Sequence, residues 1–483
     1  MKPALSPSLS TASGHVALVD LRRQYDTLRD EVLAAIARVC DSQGFILGPE
    51  VEALEREICS LTGAAGAAGC ASGTEALWLA LVAAGVRPGD SVVTTAFSFF
   101  ASASAIVRAG ATPVFVDVDP GTLNLDPCLV EKRLRGVGEY SEGAIAPDTS
   151  FGSAVLQHTH SRASARGNGK RSSGARRSQA PVRRFSAKVE ARGKGRIRAI
   201  LPVHLYGQCA DMDALDRISR EFNAAIVEDA AQAIGAAWRG RGAGSLGVTA
   251  AFSFYPTKNL SAYGDAGIAT STHPELAERM RRLRNHGSPR RYYHEEFGWN
   301  GRMDAIQAAV LRVKLPHVAK WNEARRQHAA SYDRLFAEAG LTSTDNQNRD
   351  SDVSSKETSA QSPERGATSR GTGSQQAKPL SGSAPIRPLA RDPCATHVFH
   401  QYVIRAHRRD ELRRFLTEHK IGTEIYYPLP LHLQPALSYL GLKEGDLPVA
   451  EQAAKEVLAL PMFPELTESE IRRVVQVISE FYS

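Results

Sequence analysis

Apolar residues recur at helical spacing from Asp26 to Cys40, where Leu28, Val32, Leu33, Ile36 and Val39 share a face. Gly48-Pro49-Glu50 punctuates the chain, and Val51 to Leu61 repeats the amphipathic pattern. The period then shortens. Ala68-Gly69-Cys70-Ala71 reads as a strand of small residues, and Glu75 to Ala84 as a helix. Asp90 to Thr95 is a β-branched strand, Phe100 to Gly110 a helix, and Pro113 to Val118 a strand. Ile197 to Val203, Met212 to Phe222 and Ala224 to Asp229 continue as strand, helix, strand. This alternation predicts an α/β fold, a three-layer domain with a mostly parallel sheet.

A helical pattern resumes after Asp304 and runs to about Ala339, with a bend expected at Pro316. Beyond it the chain predicts a strand over His397 to Ile404, a helix over Arg409 to His419 and a strand over Glu424 to Tyr427. Helices are expected over Ala450 to Leu458 and Glu468 to Phe481. These make a smaller C-terminal α/β domain. Residues 137–196 and 342–392 carry no such period and are rich in Ser, Gly, Arg, Thr and Gln, so both are expected to be disordered insertions. Residues 1–15 read as a loose tail. The expected division is a large domain over 16–280 and a small domain with its connecting helix over 281–483, in keeping with a chain of 483 residues.

Composition changes the picture in two places. The net charge of +7 suggests a polyanionic partner, but thirteen Lys/Arg and one acid lie between Ser161 and Arg198, leaving the rest of the chain acidic. A nucleic-acid-binding or regulatory protein using that stretch is therefore a rival reading; the near absence of aromatic residues there favours a solvated loop. The six cysteines are scattered without a C-x-x-C pair, which points to a reducing compartment. No apolar run approaches a membrane span and the amino terminus lacks a signal-peptide layout, so a cytoplasmic protein is expected.

The candidate chemistry gathers around Lys258, which stands between a short apolar strand and a Gly-punctuated loop (Phe252 to Gly267) with no acid nearer than Asp265. Desolvation by the flanking aromatics disfavours its charged form, and the neutral amine is the one that attacks a carbonyl. By itself such a lysine reads more readily as one whose stem snorkels to water. Four features change that. Ser72-Gly73-Thr74, between strand and helix, can cup a phosphate, or simply cap the helix. Asp229 ends an apolar strand, where it can hold a pyridinium nitrogen or cap a succeeding helix. Phe99 is placed to stack on a planar ring or to fill core, and Ser253 can add a hydroxyl to the phosphate or merely end its strand. In this order the set supplies what pyridoxal phosphate needs. No metal is called for.

The chain also resembles the DegT/DnrJ/EryC1/StrS nucleotide-sugar aminotransferases. The resemblance lies in Gly48-Pro49-Glu50-Val51-Glu52, Ala71-Ser72-Gly73-Thr74-Glu75-Ala76-Leu77, Pro202-Val203-His204-Leu205-Tyr206-Gly207-Gln208 and Glu228-Asp229-Ala230-Ala231-Gln232. It continues through the Lys258 stretch, Gly298 to Ala309, and Tyr427-Pro428-Leu429-Pro430-Leu431-His432. It implies the type I, aspartate-aminotransferase-like fold and a homodimer with shared sites. By position it implies that Lys258 binds the cofactor and shuttles the proton, Asp229 pairs with the ring nitrogen, and Gln232 bonds the phenolic oxygen. Gly73, Thr74 and Ser253 would hold the phosphate, Phe99 would stack, and Asn300 would reach the partner subunit's phosphate. Tyr293, His294, Arg302, Tyr427 and His432 are the implied sugar or diphosphate contacts, with a structural ion pair as the alternative for Arg302. Ala96 departs from the proline common in the family at that turn. The implied reaction is transfer of an amino group, with L-glutamate the expected donor, to a dTDP- or UDP-linked keto-sugar in amino-sugar or cell-surface polysaccharide biosynthesis. Lysine at 258 argues against the dehydratase members, which carry histidine. The wording around it is more similar to members acting on 3-keto than on 4-keto sugars.

Overall fold

The computed structural model describes residues 14–138, 196–342 and 384–483. The three stretches expected to be disordered lie largely outside these residues, as does the basic stretch up to residue 195.

In chain order the elements are α1 (Leu21–Ser42), α2 (Pro49–Thr62), β1 (Gly66–Cys70), α3 (Gly73–Ala83), β2 (Ser91–Thr95), α4 (Ala101–Arg108), β3 (Thr112–Val116) and α5 (Pro127–Gly138). Next come β4 (Ile197–Leu201), α6 (Met212–Phe222), β5 (Ala225–Asp229), β6 (Ala237–Trp238), β7 (Arg241–Gly242), β8 (Thr249–Ser253), β9 (Gly267–Ser271) and α7 (Pro274–Leu283). The chain ends with α8 (Ala305–Lys314), α9 (Val318–Glu338), β10 (Ile386–Pro388), β11 (Ala395–Thr396), β12 (Tyr402–Ala406), α10 (Arg409–Glu418), α11 (Pro448–Glu456), β13 (Val457–Leu460) and α12 (Glu468–Tyr482).

Seven strands form the central sheet in the order β1-β9-β8-β5-β4-β2-β3. The pairs among β3, β2, β4, β5 and β8 are parallel, while β9 runs antiparallel to both β8 and β1. The period of two along these strands sorts side chains by size. Ala199, Val227, Ala251 and Ala269 face α3, and Ile200, Ile226, Phe252 and Ile268 face the opposite layer. Small residues on one face let α3, itself buried over Ala76–Leu81, lie close against the sheet. Antiparallel β10-β12-β13 form a second sheet, covered by α9, α10 and α12 through Tyr332, Phe336, Leu412, Leu416, Val474 and Ile478.

Several expectations need correction. The expected strand over His397 to Ile404 begins only at Tyr402. The preceding backbone bonds outward instead, Val398 N–H to Gly207 O at 3.0 Å and Gln401 N–H to Tyr206 O at 3.4 Å, and Phe399 sits at φ 42°. Glu424 to Tyr427 keeps a single bridge, Glu424 to Ala459, because Tyr427 turns away toward Gln232. The expected helix to Leu458 stops at Glu456, and Val457 and Leu458 open β13. β10 lies within the stretch read as an insertion. Its three residues include one proline, which an edge strand tolerates. Pro316 does interrupt the long helix, through a short 3-10 turn over Leu315–His317.

Candidate active site

The carboxyl ends of the parallel strands meet at one place. The loop after β1 brings Ser72, Gly73 and Thr74, the loop after β2 brings Phe99, β5 ends on Asp229 and β8 on Ser253. An α/β sheet leaves a crevice at this edge, because its loops diverge there.

Ser72 caps α3, its Oγ accepting from Glu75 N–H at 3.2 Å. A Cβ on Gly73 would lie 2.5 Å from Ser253 Cβ and 3.0 Å from Ser253 Oγ. Only glycine allows this approach. It brings the first N–H groups of α3 and the Ser253 hydroxyl together into an anion cradle at the positive end of the helix. On the other side Gly267 packs against the carbonyl of Ser72, where again no side chain fits.

Asp229 is buried. Its Oδ2 accepts from Ser102 Oγ at 2.7 Å and its Oδ1 from Ala231 N–H at 3.2 Å. Burial pushes its pKa up, against the Ser102 and Ala231 hydrogen bonds and the Lys258 charge, which pull it down. Lys258 is the converse case: burial lowers its pKa to about 8, opposed by Asp229, the one charge that acts on it among the described residues. Although the lysine side chain keeps some accessible surface, its amine is desolvated.

Gln232 bonds through both atoms of its amide, with one Nε2 hydrogen left over. Its Oε1 accepts from Tyr206 N–H at 2.6 Å and its Nε2 donates to Tyr427 Oη at 2.8 Å. Tyr427 is buried, stacked on Tyr206 and edge-on to Phe97. Phe99 is 63% exposed, so its ring does not fill the core.

Of the remaining residues only Arg302 has its backbone beside the cradle, bridged to Cys70, with Gly301 O accepting from Ala71 N–H at 3.0 Å. Tyr293, His294 and Asn300 lie on the exposed loop between α7 and α8, Tyr293 beneath the Arg290 guanidinium at 3.7 Å and His294 Nδ1 bonded to His286 O at 2.9 Å. Arg302 donates to Asn285 Oδ1 at 3.1 Å and, among the described residues, is in no ion pair, so the ion-pair alternative does not hold. His432 is the clearest displacement: its ring is buried and bonded to Glu451 Oε1 at 2.9 Å, which takes it away from any open sugar-contact position.

Ser102, and Ser98 bonded to it at 3.0 Å, escaped the sequence reading, since nothing distinguishes them from other small residues at a helix start. Glu228 and His204 escaped too. Glu228 is fully buried and accepts from the N–H groups of Gly244, Leu246 and Gly247, each at 2.8 Å, and pairs with His204 Nε2 at 3.0 Å. Because His204 Nδ1 accepts from Ala210 N–H at 3.2 Å, the proton sits on Nε2 and donates to Glu228. This network holds the end of β5, and hence Asp229, against the neighbouring loop.

The model of the DegT/DnrJ/EryC1/StrS aminotransferase family matches residues 26–153, 182–378 and 374–479. A pleiotropic regulatory protein of Geobacillus stearothermophilus is 42% identical over 97% of this chain and 99% of its own. The dTDP-3-amino-3,4,6-trideoxy-alpha-D-glucose transaminase of Streptomyces venezuelae is 38% identical over 96% of each chain. Among solved structures, S. venezuelae DesV in complex with a ketimine intermediate superposes with a TM-score of 0.73 at 36% identity, over 97% of this chain and 99% of that one.

Proposed function

Because the chain belongs to the DegT/DnrJ/EryC1/StrS aminotransferase family, we propose that it transfers an amino group from L-glutamate to the C3 keto carbon of a dTDP- or UDP-linked sugar. It is a pyridoxal-phosphate-dependent sugar aminotransferase of the type I fold. The Gly73–Ser253 cradle, which a single Cβ would fill, fits the cofactor's phosphate. The large domain would be residues 16–280 and the small domain 281–483. Among the described residues no helix is long and apolar enough to cross a membrane, and a cytoplasmic location is part of the same reading.

The observation that carries the reading is the pairing of Lys258, desolvated to a pKa of about 8, with the buried Asp229 at the same strand ends. When bound, pyridoxal phosphate supplies an electron sink for a carbanion next to nitrogen. Lys258 would hold the cofactor covalently and, once displaced by the donor, move the proton at the reacting carbon. A pKa of about 8 leaves it able both to take and to return that proton near neutrality. Asp229, whose charged form the Ser102 hydrogen bond favours against burial, would hold the ring nitrogen protonated, and Gln232 would face the phenolic oxygen. Gly73, Thr74 and Ser253 would bind the phosphate, and Phe99 would cover one face of the ring. Tyr293, His294, Arg302 and Tyr427 remain the proposed sugar-side groups.

The loop that carries Asn300 exposes Tyr292 (79%), Phe297 (89%) and Trp299. Aromatic surface of this extent supports a homodimer in which Asn300 reaches the partner's phosphate site. Sedimentation at the monomer mass would contradict it. The 3-keto position draws support from the name of the S. venezuelae relative. Turnover with L-glutamate across a panel of 3-keto and 4-keto dTDP- and UDP-sugars tests it, and preference for a 4-keto sugar would overturn it. A regulatory role, suggested by the name of the G. stearothermophilus relative, predicts no turnover on any of them.

A further inference from the structure

The helical arm formed by α8 and α9 runs beneath the Lys258 loop, and three of its side chains fasten that loop. Gln307 accepts from Tyr263 N–H at 2.9 Å and donates to Tyr263 O at 3.3 Å. Asn322 accepts from Asn259 Nδ2 at 2.7 Å, and Val398 O takes another bond from the same amide at 3.0 Å. Between them Lys314, the last residue of α8, donates to Ser261 O and Ser261 Oγ, both at 2.9 Å.

Lys314 differs from the other two in being ionisable. It is 3% exposed, and its ammonium also lies 4.6 Å from the centre of the Tyr263 ring. Among the described residues no carboxylate is bonded to it. A carbonyl, a hydroxyl and an aromatic face are its partners. Burying an ammonium with no carboxylate bonded to it costs free energy that a neutral side chain at the same place would not incur, and burial accordingly lowers the Lys314 pKa to about 8, the Glu465 charge opposing. In return its bonds to Ser261 are, in the protonated form, charge-assisted and stronger than neutral ones. Those bonds fall on the descending limb of a closed loop. Ala262 N–H bonds to Phe254 O at 2.8 Å, and Lys258 N–H to Tyr255 O at 2.8 Å, so Lys258 stands on a ring of backbone that Ser261 completes.

We propose that Lys314 is a positioning residue for Lys258, clamping the backbone at Ser261 so that the loop presents the Lys258 amine in one place. The proposal rests on Lys258 being the cofactor lysine, and its effect on the reaction runs through geometry alone. A displacement of the order of 1 Å at a reacting group lowers a rate by about a hundredfold.

The test compares the parent holoenzyme with Lys314→Met, which removes the ammonium and keeps the stem, and Lys314→Gln, which keeps a donor for Ser261. Borohydride fixation of the parent, with peptide mapping, comes first. Lys314→Met is expected to raise amide hydrogen exchange over residues 259–263 about tenfold. It is also expected to shift the pH midpoint of the bound-cofactor absorbance by about half a unit. The Met variant should lower kcat while leaving KM for the donor near the parent value, and Lys314→Gln should recover most of each change. Should Lys314→Met fail to fold by circular dichroism, Lys314→Gln and Ser261→Ala are read instead, each with a smaller change in the same direction. A parent not fixed at Lys258 overturns the lysine assignment and this proposal with it. A parent fixed at Lys258, with variants whose exchange and midpoint match it, overturns the clamp alone.

Discussion

Replacing Glu228 by Gln changes one atom type in a fully buried site, and the hydrogen-bond pattern dictates the consequence. The carboxylate divides its acceptors evenly: Oε1 takes Leu246 and Gly247 N–H, and Oε2 takes Gly244 N–H and His204 Nε2–H. An amide has a single oxygen. Whichever pair it satisfies, its NH2 faces two donors that have no other acceptor. His204 cannot escape by changing tautomer, because Nδ1 is already the acceptor for Ala210 N–H. Each buried donor left unsatisfied costs about 1–3 kcal/mol, so the substitution should cost about 2–6 kcal/mol. That is a large part of the roughly 5–15 kcal/mol that stabilises a typical domain. Chemical denaturation should show a lower midpoint with an unchanged slope. Cofactor affinity should fall in parallel, since the network anchors the strand end that bears Asp229. The internal control is Glu131→Gln, at a partly exposed surface carboxylate between Arg135 and Arg217, which should cost no more than about 1 kcal/mol. If Glu228→Gln matched the parent within about 0.5 kcal/mol, the argument that this carboxylate is a four-donor anchor would be wrong.

Three further outcomes are expected. In Gly73→Ala the added methyl meets Ser253 Cβ, so the cradle must open and affinity for pyridoxal phosphate should weaken about tenfold in a fluorescence titration of the apo-enzyme; unchanged affinity would count against the phosphate assignment. Lys258 should be labelled by an amine reagent with a midpoint near pH 8 in the apo-enzyme, and Asp229→Asn, by removing the charge that raises it, should move the midpoint lower still. The sign carries to stability. Between pH 8 and 10.5 the unfolded chain retains the lysine proton that the folded apo-enzyme has lost, so this group makes folding more favourable as pH rises through that window; Lys258→Met should remove its share of the slope and leave that of Lys314, which burial also lowers to about 8. Ser102→Ala removes the strongest hydrogen bond that keeps Asp229 charged, so burial should raise its pKa further and the acidic limb of the rate profile should move to higher pH; an unmoved limb would dissociate Ser102 from Asp229.

How far each element was legible in the sequence depends on the kind of signal it carries. The parallel strands are dense in β-branched residues, and their run into loops located Asp229 and Lys258 from the sequence alone. β9 was missed because Gly-Ile-Ala-Thr-Ser has little apolar weight; its identity as a strand comes from pairing on both sides and from the small side chains that admit α3. The tyrosines of Glu424 to Tyr427 suggested a strand, but a tertiary bond to Gln232 overrode that propensity.

The same distinction explains why the reacting groups were found and their supports were not. A reacting group must be chemically unusual, and a lone lysine beside aromatic bulk stands out in one dimension. Its supports are ordinary residue types made special by burial. Ser102 lies 127 positions from Asp229 and His204 lies 24 from Glu228, and neither serine nor histidine announces a partner at such a distance. Lys314 shows the limit most plainly. Read along α8 it is one more cation in the last turn, favourable to the helix dipole and expected to reach water. Only the fold brings the Lys258 loop onto it, with Ser261 accepting both of its bonds and the Tyr263 ring 4.6 Å from its nitrogen.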